Sequence, residues 1–529
     1  MTMAKNMTND VFHSRFFRLA TLGCSIVAGA CAAATPETTA TPASMAALPP
    51  ELEVKGKAPP PTPTVHERLS ERVSPDADFR AERPKAGAEA AFSIPKVKRF
   101  KLSSGLPVIL ASDNKLPLVN VQLVVKTGGL ADPTGYAGLA DLAADMLDEG
   151  TATRSALQIS AEIEQLGASL STGADWDYTS INVSGLTEVM ARALPVWADV
   201  VLNPAFADNE VDRVKENRMA GLERRKDSPP ALAALVFARS VFGEKHPLGW
   251  PQDGTQQTLP KISSKELKAF HADYFKPDNA VLVVAGDMDE AGVRALIEPL
   301  LKTWKGKAKK PRTVANVKPL AKPTIFLVDK VGAPQSSLRI GLPGLPRKHP
   351  DYYKARVMNE ILGGSFRRLS LNLREQKGWT YGVYSRFNTN KIPGSWVISG
   401  EFVADKTALS VDEILKEVNT IRDVDVPDVE LQEAKDALVR AFPAFFATTK
   451  QVAGQMAGLA MFDLPINELE SYQKKMSAVS VKDVKAMAQK YLQPEHLAIV
   501  VVGDRASNQE ALGKIANVQL RDTEGNPVK

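Results

Sequence analysis

Cysteine is almost missing from this chain: two residues in 529, Cys24 and Cys31, both close to the start. No disulfide framework can hold the rest together, even in an oxidising compartment. Histidine is scarce as well. None of the six (His13, His66, His246, His271, His349, His496) falls in an H-x-x-E-H or H-E-x-x-H arrangement. Charge of one sign is not in excess. The net charge is +5, with no dense Lys/Arg block interleaved with aromatics, which gives no basis for nucleic-acid binding. Beyond Leu19–Ala34 no apolar run is long enough to span a bilayer, and that one is short and rich in small residues. What remains is 44% hydrophobic and 24% charged, the balance of a soluble globular protein.

The start of the chain carries Lys5, His13, Arg15 and Arg18 ahead of that apolar stretch, the order of a secretory signal over residues 1–31. Ala28–Cys31 resembles a bacterial lipoprotein cleavage box with Cys31 as the acylated residue; plain cleavage near Ala32 is the alternative. Either leads to an exported protein, periplasmic or lipid-anchored to the envelope, whose membrane contact is through the lipid alone. Residues 32–95 are crowded with Ala, Pro, Thr and Glu, including Pro59–Pro61. Such a segment buries too little apolar surface to offset its ordering entropy, and reads as a tether.

The body contains an internal repeat. Lys265–Pro277 (KELKAFHADYFKP) matches Lys482–Pro494 (KDVKAMAQKYLQP), and Val281–Asp287 (VLVVAGD) matches Ala498–Asp504 (AIVVVGD). Lys265 and Lys482, Pro277 and Pro494, and Asp287 and Asp504 all lie 217 residues apart. An amphipathic helix, a Pro-marked turn and a buried strand ending in Gly-Asp therefore occur twice. The expected organisation is two homologous domains, 96–312 and 323–520, with a Lys/Pro-rich linker at 313–322 and a tail at 521–529. Val108–Leu110 and Val119–Val125 read as strands; Gly138–Leu147, Ala156–Leu166 and Glu188–Val201 carry helical periodicity. Strands and helices come in runs rather than alternating, which predicts an α+β fold. Each half is long enough to bury a core of its own.

Thr127–Thr151 (TGGLADPTGYAGLADLAADMLDEGT) resembles the opening segment of pitrilysin/insulinase-type zinc peptidases. His246–Pro251, Gly254–Thr255, Leu362–Phe366 (LGGSF) and Leu373–Ser385 (LREQKGWTYGVYS) resemble further stretches of that family, so that the likeness runs through most of residues 96–510. In the family a Gly-rich turn enters a helix bearing H-x-x-E-H, whose two histidines hold zinc while the glutamate activates water. Here Asp141, Ala144 and Asp145 stand at those positions, and the third ligand falls at Gly221. Ala144 has no proton-accepting group, and Glu223 is rotated off the site face. Two aspartates at i and i+4 are expected to be solvated rather than metal-bound.

The family's second half supplies an Arg and, seven residues later, a Tyr that bind the substrate carbonyl; Arg374 and Tyr381 match them. The resemblance implies a non-zinc subunit of a heterodimeric peptidase, two related domains forming half of a clam-shell. Such a chain binds no cofactor of its own and takes zinc from an H-x-x-E-H-bearing partner; its substrates are short, unfolded peptides. The alternative reading is a non-catalytic peptide-binding or scaffold protein. A third, an unrelated metal enzyme on Asp141, Asp145, Asp148 and Glu149, is less favoured by the residues.

Overall fold

The computed structural model describes Gly87 and residues 92–528, which belong to one compact unit, Gly87–Lys529. The leader, Cys31 and most of the tether lie outside the described residues. The first half carries β1 (Lys98–Lys101), β2 (Pro107–Ser112), β3 (Leu118–Val125), β4 (Ser169–Ala174), β5 (Thr179–Leu186) and β6 (Ala280–Gly286). Its helices include α1 (Leu139–Asp145), α2 (Ala156–Gln165), α3 (Met190–Leu202), α4 (Asp208–Arg225), α5 (Pro229–Phe242) and α6 (Ser264–Tyr274). The second half has β7 (Thr324–Asp329), β8 (Gln335–Pro343), β9 (Thr380–Asn388), β10 (Ser395–Val403), β11 (Ala498–Gly503) and β12 (Asn517–Arg521). With them come α7 (Tyr352–Gly363), α8 (Thr449–Met461) and α9 (Val481–Tyr491). The fold is α+β, as the sequence pattern predicts.

The two sheets repeat one plan. Their strand orders are β1-β2-β6-β3-β5-β4 and β12-β7-β11-β8-β10-β9, with parallel pairs β2–β6 and β7–β11. Helices α6 and α9 both open on a capping box, at Ser263 with Glu266 and at Ser480 with Asp483, which satisfies otherwise orphaned N–H groups. The central strands β6 and β11 are buried along their whole length, so both faces of each sheet need a cover.

That cover crosses between the halves. Helix α5 opens on Pro229-Pro230 and puts Leu232, Ala233, Val236, Phe237 and Val241 on one stripe. The stripe packs on Phe326, Val328, Val397, Ala498, Val500 and Val502 of the second sheet. Reciprocally, α8 belongs to a core that includes Ile109, Val124, Val281 and Val283 of the first sheet; Ala453, Met456, Ala457, Leu459, Ala460 and Met461 are its buried residues. Burying five apolar side chains from one such helix is worth on the order of 10 kcal/mol. The first half buries one core of its own, from Leu102 to Trp304, while the other face of its sheet and the second sheet share cores across the halves. A sheet with two apolar faces needs two layers, and each half keeps one of its layers on the other.

Two boundaries also move. Phe92, Ile94 and Val97 pack on the second half's core, with Phe92 edge-on to Phe442 at 5.9 Å, so the folded body begins inside the segment read as tether. At the other end, Arg521 completes β12, and Gln257 donates to Glu524 Oε2 at 3.1 Å. The tail is thus held to the first half by side chains that no local pattern reveals.

Between the halves, the buried Asp177 accepts the Lys391 N–H at 3.0 Å through Oδ2, while Oδ1 has no hydrogen-bond partner. Burial pushes this carboxyl up to about 6 from its ordinary 3.8. A value raised in the folded state means that the fold holds the proton more tightly than the unfolded chain does. Its contribution to stability is full below about pH 4 and is lost as pH rises to about 6. Asp177→Asn is expected to gain about 1–2 kcal/mol over the wild type at pH 7 and to lose that advantage at pH 4. Urea midpoints across that range measure it; a pH-independent difference would contradict it. Phe237→Ala is expected to cost about 3–5 kcal/mol while leaving one cooperative transition. Far-UV dichroism and tryptophan fluorescence should report the same midpoint; two separated transitions would show that the halves fold apart.

Candidate functional site

Helix α1, the equivalent of the zinc helix, is only seven residues long. Its N-terminus is capped from a distance. Asp132, in the preceding loop, accepts the N–H groups of Gly138 and Ala140, both at 2.9 Å. Burial pushes the Asp132 carboxyl up to about 8, with those amides pulling the other way and Asp141 adding to the rise. Asp141 and Ala144 are completely buried, and Asp145 faces the rim of the same site.

The aspartates are not solvated as expected. Arg218 of α4 reaches them: Nη1 forms an ion pair with Asp141 Oδ2 at 3.0 Å. Its Nη2 donates to the Asp141 carbonyl at 3.1 Å and to the Asp145 carboxylate. Gly221 lies three residues further along α4, so Arg218 and the third-ligand position share one helical face. Glu223 is exposed and bonded to Lys226 and Gln256, off that face as expected. The residues present do not fit zinc. The metal prefers three protein ligands with nitrogen or sulfur among them. Here there are two carboxylates already engaged by one guanidinium, a methyl group and no third side chain.

Among the described residues no group of three His, Cys, Asp or Glu is placed to hold an ion, Asp148 and Glu149 included. The described histidines are occupied with backbone. His246 Nδ1 accepts Leu248 N–H, His349 Nδ1 accepts Asp351 N–H, His271 bonds the Val201 carbonyl and His496 the Leu320 carbonyl. Burial pushes His271 down to about 4, consistent with a neutral structural ring.

Arg374 and Tyr381 are brought together. Asn359 of α7 fixes the helix to β9: Nδ2 donates to the Ser385 carbonyl at 2.8 Å, and Oδ1 accepts from Ser385 Oγ at 2.9 Å and from Trp396 Nε1 at 3.0 Å. At the end of α7, a side chain on Gly363 would put its Cβ 2.1 Å from Ser385 Oγ, so only glycine allows this approach. The chain then runs through Phe366, held at φ 55°, into a π-helical turn, Leu371–Gln376. Lys377 N–H donates to the Asn372 carbonyl five residues back, and Leu373 is fully buried, which turns its neighbour Arg374 outward. Tyr381 sits where β9 carries a bulge. Thr380 pairs with Phe402 and Val383 with Gly400, so Tyr381 and Gly382 together oppose Glu401. Bulges of this kind re-aim a side chain, and Tyr381 is 85% exposed.

The Arg374 guanidinium carbon lies 5.1 Å from the Tyr381 ring centre and 5.6 Å from that of Phe366. Its Nε pairs with Glu375 at 3.3 Å. Among the described residues its terminal nitrogens and the Tyr381 hydroxyl have no hydrogen-bond partner. Two directed donors thus stand side by side at the surface. Sequence reasoning missed Arg218 and Phe366. An arginine one turn before the lost ligand, opposite two aspartates, is the signal that would have found Arg218; nothing local marks Phe366.

A helix that keeps the position of a zinc motif without its ligands, repeated folds around it, and an Arg/Tyr pair on the second repeat define a peptidase-type chain with a rebuilt metal site. A family model described as "Insulinase (Peptidase family M16)" matches residues 107–238, and one described as "Peptidase M16 inactive domain" matches 261–438. The chain belongs to the M16 (insulinase) peptidase family. A Helicobacter pylori protein named "Non-peptidase homolog YmxG" is 25% identical over 411 residues, 76% of this chain and 93% of its own length. The "Uncharacterized zinc protease YmxG" of Bacillus subtilis is 26% identical over 346 residues, 65% of this chain and 82% of its own. The solved "peptidase M16 inactive domain" of Pseudomonas fluorescens superposes with a TM-score of 0.72 at 28% identity, covering 77% of this chain and 98% of that one.

Arg218→Met is expected to destabilise the protein by about 3–5 kcal/mol, because it leaves the fully buried Asp141 carboxylate without its cation. Adding Asp141→Asn should recover part of the loss. Denaturant titration decides the matter: a cost below about 1 kcal/mol would mean that the pair is dispensable.

Proposed function

We propose that this chain is the Arg/Tyr-bearing subunit of a two-subunit zinc peptidase of the cell envelope, without hydrolytic activity alone. The observation that carries the reading is the contrast between two sites in one fold. The metal position is closed by an internal ion pair with Arg218, whereas Tyr381 stands exposed and the half-buried Arg374 beside it keeps unused donors. Arg374, held by Glu375 and Phe366 through its Nε and its face, keeps its terminal donors for something outside the chain, and Tyr381 keeps its hydroxyl.

In this reading an H-x-x-E-H-bearing homologue holds the zinc and the general base. Arg374 and Tyr381 donate to the carbonyl oxygen of a short, unfolded peptide as that oxygen gains negative charge. Arginine stays charged at any physiological pH and tyrosine offers one directed hydroxyl, so both donors are in place before the charge develops. The leader and Cys31 accord with an exported, lipid-anchored or periplasmic complex.

The test is hydrolysis of a quenched fluorescent peptide by the chain alone, with added zinc, and mixed with an H-x-x-E-H-bearing homologue from a neighbouring gene. Turnover is expected only in the mixture. Arg374→Ala and Tyr381→Phe should each lower its kcat by about 10²–10³. Turnover by this chain alone, or an unchanged mixture with both variants, would overturn the assignment. An inert mixture of folded proteins would favour a peptide-binding or scaffold role.

A further inference from the structure

One row of residues crosses the second sheet from a covered end to an open one. Phe326 of β7 pairs with Val500 of β11, Val500 with Arg339 of β8, Arg339 with Ser399 of β10, and Ser399 with Tyr384 of β9. Directly opposed residues share a face. The apolar end of this row lies under α5, where Phe326 and Val500 belong to its cluster. At the β9 end Tyr384 and Arg386 are exposed. Arg386 opposes Val397, and Glu401 opposes Ser337, so both stand in the rows on either side of Arg339 and on the same face.

The charges on this open end do not balance. Arg339 is largely buried, yet among the described residues neither it nor Arg386 forms an ion pair or hydrogen bond. Glu401 is the one acid in the three rows, and it accepts the Ser337 hydroxyl at 2.7 Å. Burial pushes the Glu401 carboxyl up, with the Ser337 hydroxyl and Arg339 pulling the other way, so this one acid is set against two guanidinium groups. Burial and the nearby Arg386 push Arg339 down to about 10, with Glu401 pulling the other way. A desolvated guanidinium facing a second one is costly unless an anion joins them, and a planar guanidinium matches a carboxylate with two parallel N–H donors.

We propose that Arg339 and Arg386, with Tyr384 beside them, form a subsite for a carboxylate of an extended peptide lying along the free edge of β9. The edge is free in the sheet order, and its unpaired N–H and C=O groups can accept an added strand. Alternate side chains of that strand would fall on the Arg339 face. The ligand is thus a peptide with an acidic side chain, or with its terminal carboxylate, in register with Arg386. The inference rests on the peptide-binding reading above but uses different residues from Arg374 and Tyr381.

Fluorescence anisotropy of rhodamine-labelled decapeptides on the full chain tests it. Three probes are needed: a neutral peptide with an amidated end, the same peptide with one central Glu, and the neutral peptide with a free C-terminus. At least one carboxylate-bearing probe is expected to bind about tenfold more tightly than the neutral one, and which one does so identifies the source. Arg339→Gln and Arg386→Gln should each abolish that preference. Equal affinity for all three probes, absence of binding, or a preference that survives both Gln variants would overturn the proposal. Arg386 is exposed, so its variant remains informative if Arg339→Gln does not fold. Loss of turnover in the reconstituted pair with the preference retained would bear on Arg374 and Tyr381 only.

Discussion

The structure depends on an exchange of helices between two copies of one plan. Each sheet has a central strand apolar on both faces, and a helix from the other repeat supplies one of the two covers. A sheet whose second face met water would expose several valines and isoleucines at once. The exchange therefore welds residues some two hundred positions apart into one cooperative body. Both ends are tied to this body: Phe92 packs on Phe442 and Phe446 of the second half, and Glu524, after β12, accepts from Gln257 of the first.

Within that frame the former metal position has become a structural ion pair. A buried carboxylate needs a cation, and Arg218 provides one from within the chain. The change is more than loss of ligands. A site merely stripped of histidines would leave a polar hole beneath α1, whereas here a guanidinium spans both aspartates and ties α4 to the helix. The electrostatic role of a bound ion is thereby kept while its chemistry is removed, because a guanidinium neither polarises a carbonyl as a Lewis acid nor lowers the pKa of water.

The edge of the second sheet is organised on the opposite principle. A π-turn, a bulge and an aromatic residue with positive φ hold Arg374 and Tyr381 outward, and among the described residues the β8–β10–β9 rows set two arginines against one acid, Glu401. Irregular backbone of this sort costs free energy and persists where the surroundings over-determine it. Here Asn359, Gly363 and Leu373 supply that support. Donors kept unsatisfied on a rigid support are what recognition of an external oxygen requires.

The sequence by itself determined the repeat, from a constant 217-residue offset, and the strand cores and several helices, from local periodicity. Its resemblance to the family marked the missing zinc ligands, and Ala144 can never accept a proton. It also marked Arg374 and Tyr381, whose seven-residue spacing survives. Only the tertiary structure decided that α5 and α8 change places, that Arg218 neutralises Asp141, and that Arg339 and Arg386 face one another across β10. Those pairings join residues tens to hundreds of positions apart, and no local periodicity encodes which apolar face or which charge will meet which. They are set when the two halves close on each other and every buried face and charge must find a partner at once.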